Sequence, residues 1–241
     1  MTRTRTRRPP TTLSEADYVS TLRTTLGLHA DARQALGMKA YMRNQFEFLG
    51  IPTPTRQALT REFLLEHGVP DASKLAQVVR PLWDLPEREY QYSALTLLGF
   101  ASHRLSVEHM PMLEDLITTK SWWDTVDSLA VDLVGPVVFR QTGQASECAD
   151  KWLRSENMWL QRTAILFQLK WKQQTDEPLL FSCIERSLQS PEFFIRKAIG
   201  WALREYSKTA PARVETFVST HAASLSPLSA REALRWIRKQ S

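Results

Sequence analysis

Phe194-Ile195-Arg196-Lys197-Ala198-Ile199-Gly200-Trp201-Ala202-Leu203-Arg204 has the spacing of a packed helix, and its centre recurs along the chain. An alanine followed by an aliphatic residue returns as Ala58-Leu59, Ala94-Leu95, Ala130-Val131, Ala164-Ile165, Ala198-Ile199 and Ala233-Leu234. The successive intervals are 36, 36, 34, 34 and 35 residues. Two positions ahead of these pairs stand Arg56, Tyr92, Ser128, Arg162, Arg196 and Arg231, so four of the six carry arginine there. A small side chain at a fixed place in each unit is what closely packed neighbouring helices require.

A period in this range with two helices per unit is the signature of an all-α, curved α-solenoid of HEAT-like helical repeats. Second helices are expected near 71–83, 106–119, 136–154, 175–189 and 211–222, with two more upstream near 14–27 and 31–48. Thr53-Pro54, Ser190-Pro191 and Ser226-Pro227 each place a hydroxyl ahead of a proline suited to the first helical position. Gly135-Pro136 is expected to end the helix before it, since proline cannot extend the hydrogen-bond ladder. Residues 1–12 form an Arg/Thr/Pro-rich basic tail expected to lack order, and 13–241 a single domain with a concave binding face.

On this frame, Ser121-Trp122-Trp123-Asp124-Thr125-Val126-Asp127 is the segment richest in chemistry. At 100° per residue, Trp123 and Asp127 lie about one turn apart on one helical face, so an aromatic plane stands beside an anion, a pair suited to stabilising a cation. The plain structural reading is that Ser121 caps the helix, Asp124 at the third position favours its positive end, and the tryptophans are core. The repeat adds that Trp123, Asp127, Arg162 and Trp201 lie on consecutive anchor helices, so one site can be assembled from three units. Lys170, Arg196, Lys197 and Arg204, on or near those helices, could line a groove that follows a phosphate backbone.

Composition narrows the alternatives. The chain has 31 basic and 26 acidic residues; without Arg3, Arg5, Arg7 and Arg8 of the tail, 27 basic residues remain and the body carries about +1. Net charge therefore argues only weakly for DNA binding by the folded part. Cys148 and Cys183 fit no disulfide or metal spacing and read as packed helix residues, and the five histidines show no ligand spacing, so neither metal nor cofactor is expected. No apolar run approaches a membrane span, and a cytoplasmic, nucleoid-associated monomer is expected. Phosphate-binding loops, dinucleotide fingerprints and nucleophile elbows are absent, which speaks against a nucleotide-using enzyme.

The stretches Met38-Lys39-Ala40-Tyr41-Met42-Arg43-Asn44-Gln45-Phe46, Phe48-Leu49-Gly50-Ile51, the Trp-Trp-Asp-Thr-Val-Asp string, Trp159-Leu160-Gln161-Arg162-Thr163-Ala164 and Phe194 to Tyr206 together resemble the AlkD-like DNA glycosylases of the DNA alkylation repair group. The resemblance implies a monofunctional enzyme that removes cationic alkylated purines, N3-alkyladenine and N7-alkylguanine, from duplex DNA with the base left stacked. It implies Asp127 as the catalytic carboxylate, Trp123 and Trp201 as aromatic walls, Arg162 as a phosphate contact and Tyr41 as a further residue of the cleft. A base already cationic departs neutral and needs no general acid, which fits a site with one carboxylate and aromatic faces. The alternative is a noncatalytic HEAT-like DNA-binding or protein-scaffold solenoid, with both tryptophans in the core.

Overall fold

The computed structural model describes residues 13–240, and the expectation for the basic tail lies outside them. Its helices fall into two compact units, one ending at Arg104 and the other beginning at Leu105. The architecture is all-α, built of HEAT-like helix pairs, with no strand among the described residues beyond a lone bridge between Glu47 and Glu87. No helix among them is long and apolar enough to cross a membrane.

In the first unit the helices are α1 (Glu15–Gly27), α2 (Ala32–Tyr41), α3 (Thr53–His67), α4 (Leu75–Asp84) and α5 (Arg88–Ala101). Ser14 caps α1 by accepting from the Asp17 amide. The second upstream helix is shorter than expected: α2 stops at Tyr41 because Arg43 and Asn44 take left-handed φ values of 55° and 57°. The chain then runs extended past Gly50, whose φ is 86° and where a Cβ would run into the Asp31 carbonyl. The buried Glu89 carboxylate accepts from the Leu49, Gly50 and Ile51 amides at 3.0, 2.8 and 3.1 Å, pinning this segment to α5.

Ala58 is exposed, contrary to its expected packing role. Here α3 turns a different face inward, burying Arg56, Thr60, Phe63 and Leu64; the small inward residue is Thr60, whose hydroxyl lies 3.0 Å from that of Ser93 on α5. The other five anchor alanines are buried, as close helix packing demands. Thr53 itself opens α3 after Pro52, so its hydroxyl caps nothing.

The second unit contains α6 (Met110–Thr118), α7 (Trp123–Ser128), α8 (Gly135–Arg140), α9 (Ala145–Arg154), α10 (Met158–Leu166), α11 (Glu177–Glu185), α12 (Phe193–Ser207), α13 (Pro211–Thr220) and α14 (Pro227–Ala233). Between α7 and α8 the chain stays helical through a π-helical stretch, Leu129–Val134. Gly135-Pro136 therefore does not end this helix. The Gly135 amide reaches back five residues to Ala130, and the wider turn carries the ladder past Pro136, which has no amide to offer. Consequently the expected second helix at 136–154 is two pieces: α8 extends the anchor helix and only α9 stands as the second helix of this repeat. Gly135 also sits where a Cβ would run into the Phe167 carbonyl.

Ser226 caps α14 as the Ser-Pro signal implied, accepting from the Ser229 amide at 3.0 Å. The Ser190-Pro191 signal leads by two residues: α12 starts at Phe193 after Glu192, and the Ser190 hydroxyl accepts from the Glu192 amide at 3.3 Å, ahead of the helix. Ala130, Ile165, Leu180, Ile195, Ala198, Ile199, Phe217 and Ala233 share one core, with Trp201 packed against it. Burial lifts the Cys183 thiol to about 12, leaving an inert packed side chain, as the spacing suggested.

Candidate active site

Trp122, in extended conformation at φ −158° and ψ 161°, occupies the cap position of α7 and makes Trp123 its first residue. Ser121 does not cap; its hydroxyl donates backward to the Ile117 carbonyl at 2.6 Å, and Asp124 falls at the second helical position. The two tryptophans have separate surroundings. Trp122 packs on Phe194 and Trp159 with ring centroids 5.1 and 6.0 Å away, and those two rings lie 5.1 Å apart, so three aromatics, one capping α7 and the others from α10 and α12, lock the helix ends together. Trp123, one position on, faces a cavity instead.

That cavity has a volume of about 390 Å³ and lies wholly within the second unit. Trp123 and Asp127 of α7, Arg162 of α10, and Phe193, Phe194, Lys197, Trp201 and Arg204 of α12 form its wall, completed by Glu232 of α14 and Arg235 just after it. Of the residues named from the sequence, Asp127, Trp123, Trp201, Arg162, Lys197 and Arg204 are thus brought together. Lys170 and Arg196 are not among the lining residues. The Lys170 ammonium pairs with Asp132 at 2.6 Å, and the Arg196 guanidinium donates to the Ser190 carbonyl at 2.9 Å. Tyr41, exposed at the end of α2, belongs to the first unit.

Asp127 and Arg162 form a bidentate pair: Nε donates to Oδ1 at 2.7 Å and Nη2 to Oδ2 at 2.8 Å, while Nη1 donates to the Phe194 carbonyl. The side chains are 16% and 5% exposed, respectively. Arg162 therefore has its fork engaged inside the protein, tying α7 to α10 and to the start of α12, and little of it is open to a phosphate. Burial raises the Asp127 carboxyl above the ordinary carboxylate value; the hydrogen bonds and charge of Arg162 pull it down, and Asp124 pushes it up. The result is a carboxylate fixed in direction, part desolvated, with Trp123 one turn before it on the same helix.

On the opposite wall, Arg204 pairs with Glu232, and burial together with the nearby Arg235 lowers the Arg204 pKa. Phe193, Phe194, Glu232 and Arg235 were not anticipated from the sequence. Glu232 stands one residue before its anchor alanine, as Lys197 does before Ala198, and that shared offset was the available signal. The phenylalanines gave none beyond ordinary apolar spacing. Among the described residues, no group of three or more His, Cys, Asp or Glu side chains is placed to hold a metal ion.

A carboxylate locked by arginine, two indole walls and a basic rim on HEAT-like repeats define a protein suited to a polyanion carrying a cationic centre. Comparison with known proteins gives the class: the family model described as DNA alkylation repair enzyme matches residues 22–237, and the chain belongs to that family. A solved structure described as a predicted DNA alkylation repair enzyme from Enterococcus faecalis is 37% identical, with a TM-score of 0.81 over 87% of this chain and 97% of that one. AlkD2 from Streptococcus mutans, at 17% identity and TM-score 0.62, covers 94% of this chain and 98% of its own. The protein smu.31 of the same species, at 16% and 0.60, covers 91% and 98%; these two share the fold. No curated protein matches the sequence.

Proposed function

We propose that this protein is a monofunctional DNA glycosylase hydrolysing the N-glycosidic bond of cationic alkylated purines, N3-alkyladenine and N7-alkylguanine, in duplex DNA. The family supports a role in repairing alkylated DNA. The observation that carries the finer reading is the sharing of one cavity by the Asp127 carboxylate and the Trp123 and Trp201 rings, with a basic rim beside them.

In the proposed reaction the bond between C1′ and the base nitrogen breaks, and the cationic base takes the electron pair and leaves neutral. Positive charge develops on the sugar, where Asp127 and the indole faces stabilise it. Water then adds its oxygen to C1′ and releases a proton, giving an abasic site and free base. Because the departing base needs no proton, no second carboxyl acts as acid. Arg162 is a positioning residue in this scheme, holding both Asp127 oxygens, while Lys197 and Arg204 meet backbone phosphates. A cavity wall that addresses sugar and phosphate lets the damaged base stay stacked, so selectivity comes from the lability of the cationic base, with little reading of its edge.

Single-turnover release of N7-methylguanine from a defined duplex tests this, comparing the wild type with Asp127→Asn at saturating enzyme. Release by the wild type, with binding but no release by the variant, is the expected result. Failure of the wild type to release any cationic base would return the chain to the noncatalytic DNA-binding or scaffold reading. Excision of uracil or hypoxanthine at a comparable rate would overturn the selectivity argument.

A further inference from the structure

Glu232 is the second carboxylate on the cavity wall, and the reaction above gives it nothing to do. Its side chain is 15% exposed and pairs through Oε1 with Arg204, which reaches across from α12 with 26% of its own side chain exposed. Arg235, 60% exposed, brings Nη1 to 3.9 Å from the same oxygen. The carboxylate is thus shared between one half-buried arginine and one that is largely in solvent.

Its place on the wall is built in. A Cβ at Gly200 would stand 2.7 Å from the Glu232 Cβ and 3.1 Å from the Ser229 carbonyl, so only glycine lets α14 come this close to α12. The Ser229 hydroxyl donates to the Arg196 carbonyl at 2.8 Å and fixes the same junction. Glu232 is held by backbone packing, whereas its two partners are long side chains able to move.

A guanidinium fork grips a carboxylate and a phosphodiester with the same geometry. We propose that Glu232 occupies, in the free protein, the place of a DNA phosphate: duplex binding transfers Arg204 from Glu232 to a backbone phosphate, and Arg235 takes over Glu232. This rests on the DNA reading above. The exchange leaves no desolvated charge unpaired at either end, since one ion pair replaces another on each side. It also weakens the hold on undamaged DNA, because one cation of the rim must first leave an internal partner.

The test is the affinity of the full chain for an undamaged duplex, measured across a range of salt for the wild type, Glu232→Gln, Arg235→Gln and the double variant. Glu232→Gln is expected to bind about twofold to fivefold more tightly at low salt, as loss of a partly exposed ion pair implies, with a steeper salt dependence. Arg235→Gln is expected to bind more weakly than the wild type, with the loss shrinking in the Glu232→Gln background. Equal or weaker binding by Glu232→Gln would overturn the exchange and leave Glu232 as a prop for Arg204. Should Glu232→Gln fail to fold, Arg235→Gln decides alone, and unchanged affinity refutes the exchange. If the wild type shows no salt-dependent duplex binding, the DNA reading itself falls; if it binds and Glu232→Gln is no tighter, only the exchange does.

Discussion

Replacing Arg162 with Gln separates two roles that the residue type alone leaves confounded. The change removes two charge-assisted hydrogen bonds to Asp127 and one to the Phe194 carbonyl, leaving a carboxylate that is 16% exposed without its counterion. Breaking a buried pair from one side costs about 3 to 5 kcal/mol, and the partial exposure of Asp127 places this case near 3. At about 2 to 4 °C per kcal/mol for a chain of this size, thermal unfolding near neutral pH should fall by roughly 6 to 12 °C. The pH dependence carries the sign. The folded-state Asp127 pKa is already above its ordinary value, so its neutral form is the one the fold favours and its charged form opposes folding as pH rises through that pKa. Arg162 is the group that lowers it; removing Arg162 raises the Asp127 pKa further, so the deficit of the variant should be greatest near neutrality and shrink in acid. The acid limb of single-turnover base release should likewise move to higher pH, with the slope of log affinity against log salt unchanged. An unaltered melting temperature together with a salt slope reduced by about one would refute the reasoning and show Arg162 meeting a phosphate.

Trp201→Ala should lower thermal stability by about 2 to 4 kcal/mol, because that ring packs on the core as well as lining the cavity, whereas Trp123→Ala should cost less while slowing base release as much; equal stabilities would contradict the packing. Gly135→Ala should destabilise by about 1 to 3 kcal/mol in denaturant unfolding, since its Cβ would meet the Phe167 carbonyl, and a neutral effect would show that backbone able to give. Glu89→Gln turns an amide toward three backbone N–H donors and should cost about 2 to 4 kcal/mol; a change below about 0.5 would mean that the 49–51 segment is held by other contacts.

The helix pairs were legible because the Ala-aliphatic anchor reports close packing, and five of the six anchors are buried. Ala58 misleads because α3 presents a different face, and composition holds no record of a helix's rotation about its axis. Boundaries failed where the backbone departs from α geometry, at the left-handed Arg43-Asn44 and at the π-helical stretch, because an apolar period reports which face is packed and not the width of a turn. In the site, Trp123, Asp127, Arg162 and Trp201 could be grouped from repeat offsets. That Arg162 points inward could not, since an arginine at this place in the repeat is buried on α10 and α3 yet exposed on α14. Surface ion pairs such as Lys170 with Asp132 are equally invisible, because they depend on which side of a helix meets its neighbour.

The π-helical stretch makes the site a matter of phase. A turn closed by bonds reaching back five residues holds one more residue than an α turn, so everything before Leu129 is rotated by about 100° relative to an unbroken helix continued from α8. Downstream, Gly135 is seated on the Phe167 backbone and cannot turn. The wide turn, by absorbing the surplus residue, is therefore what keeps Asp127 aimed at Arg162. Were Leu129 to Val134 to close as regular α-helix with all six residues kept, the carboxylate would swing out of its pair, whereas deleting one of them would remove the surplus and leave Asp127 in phase with Arg162.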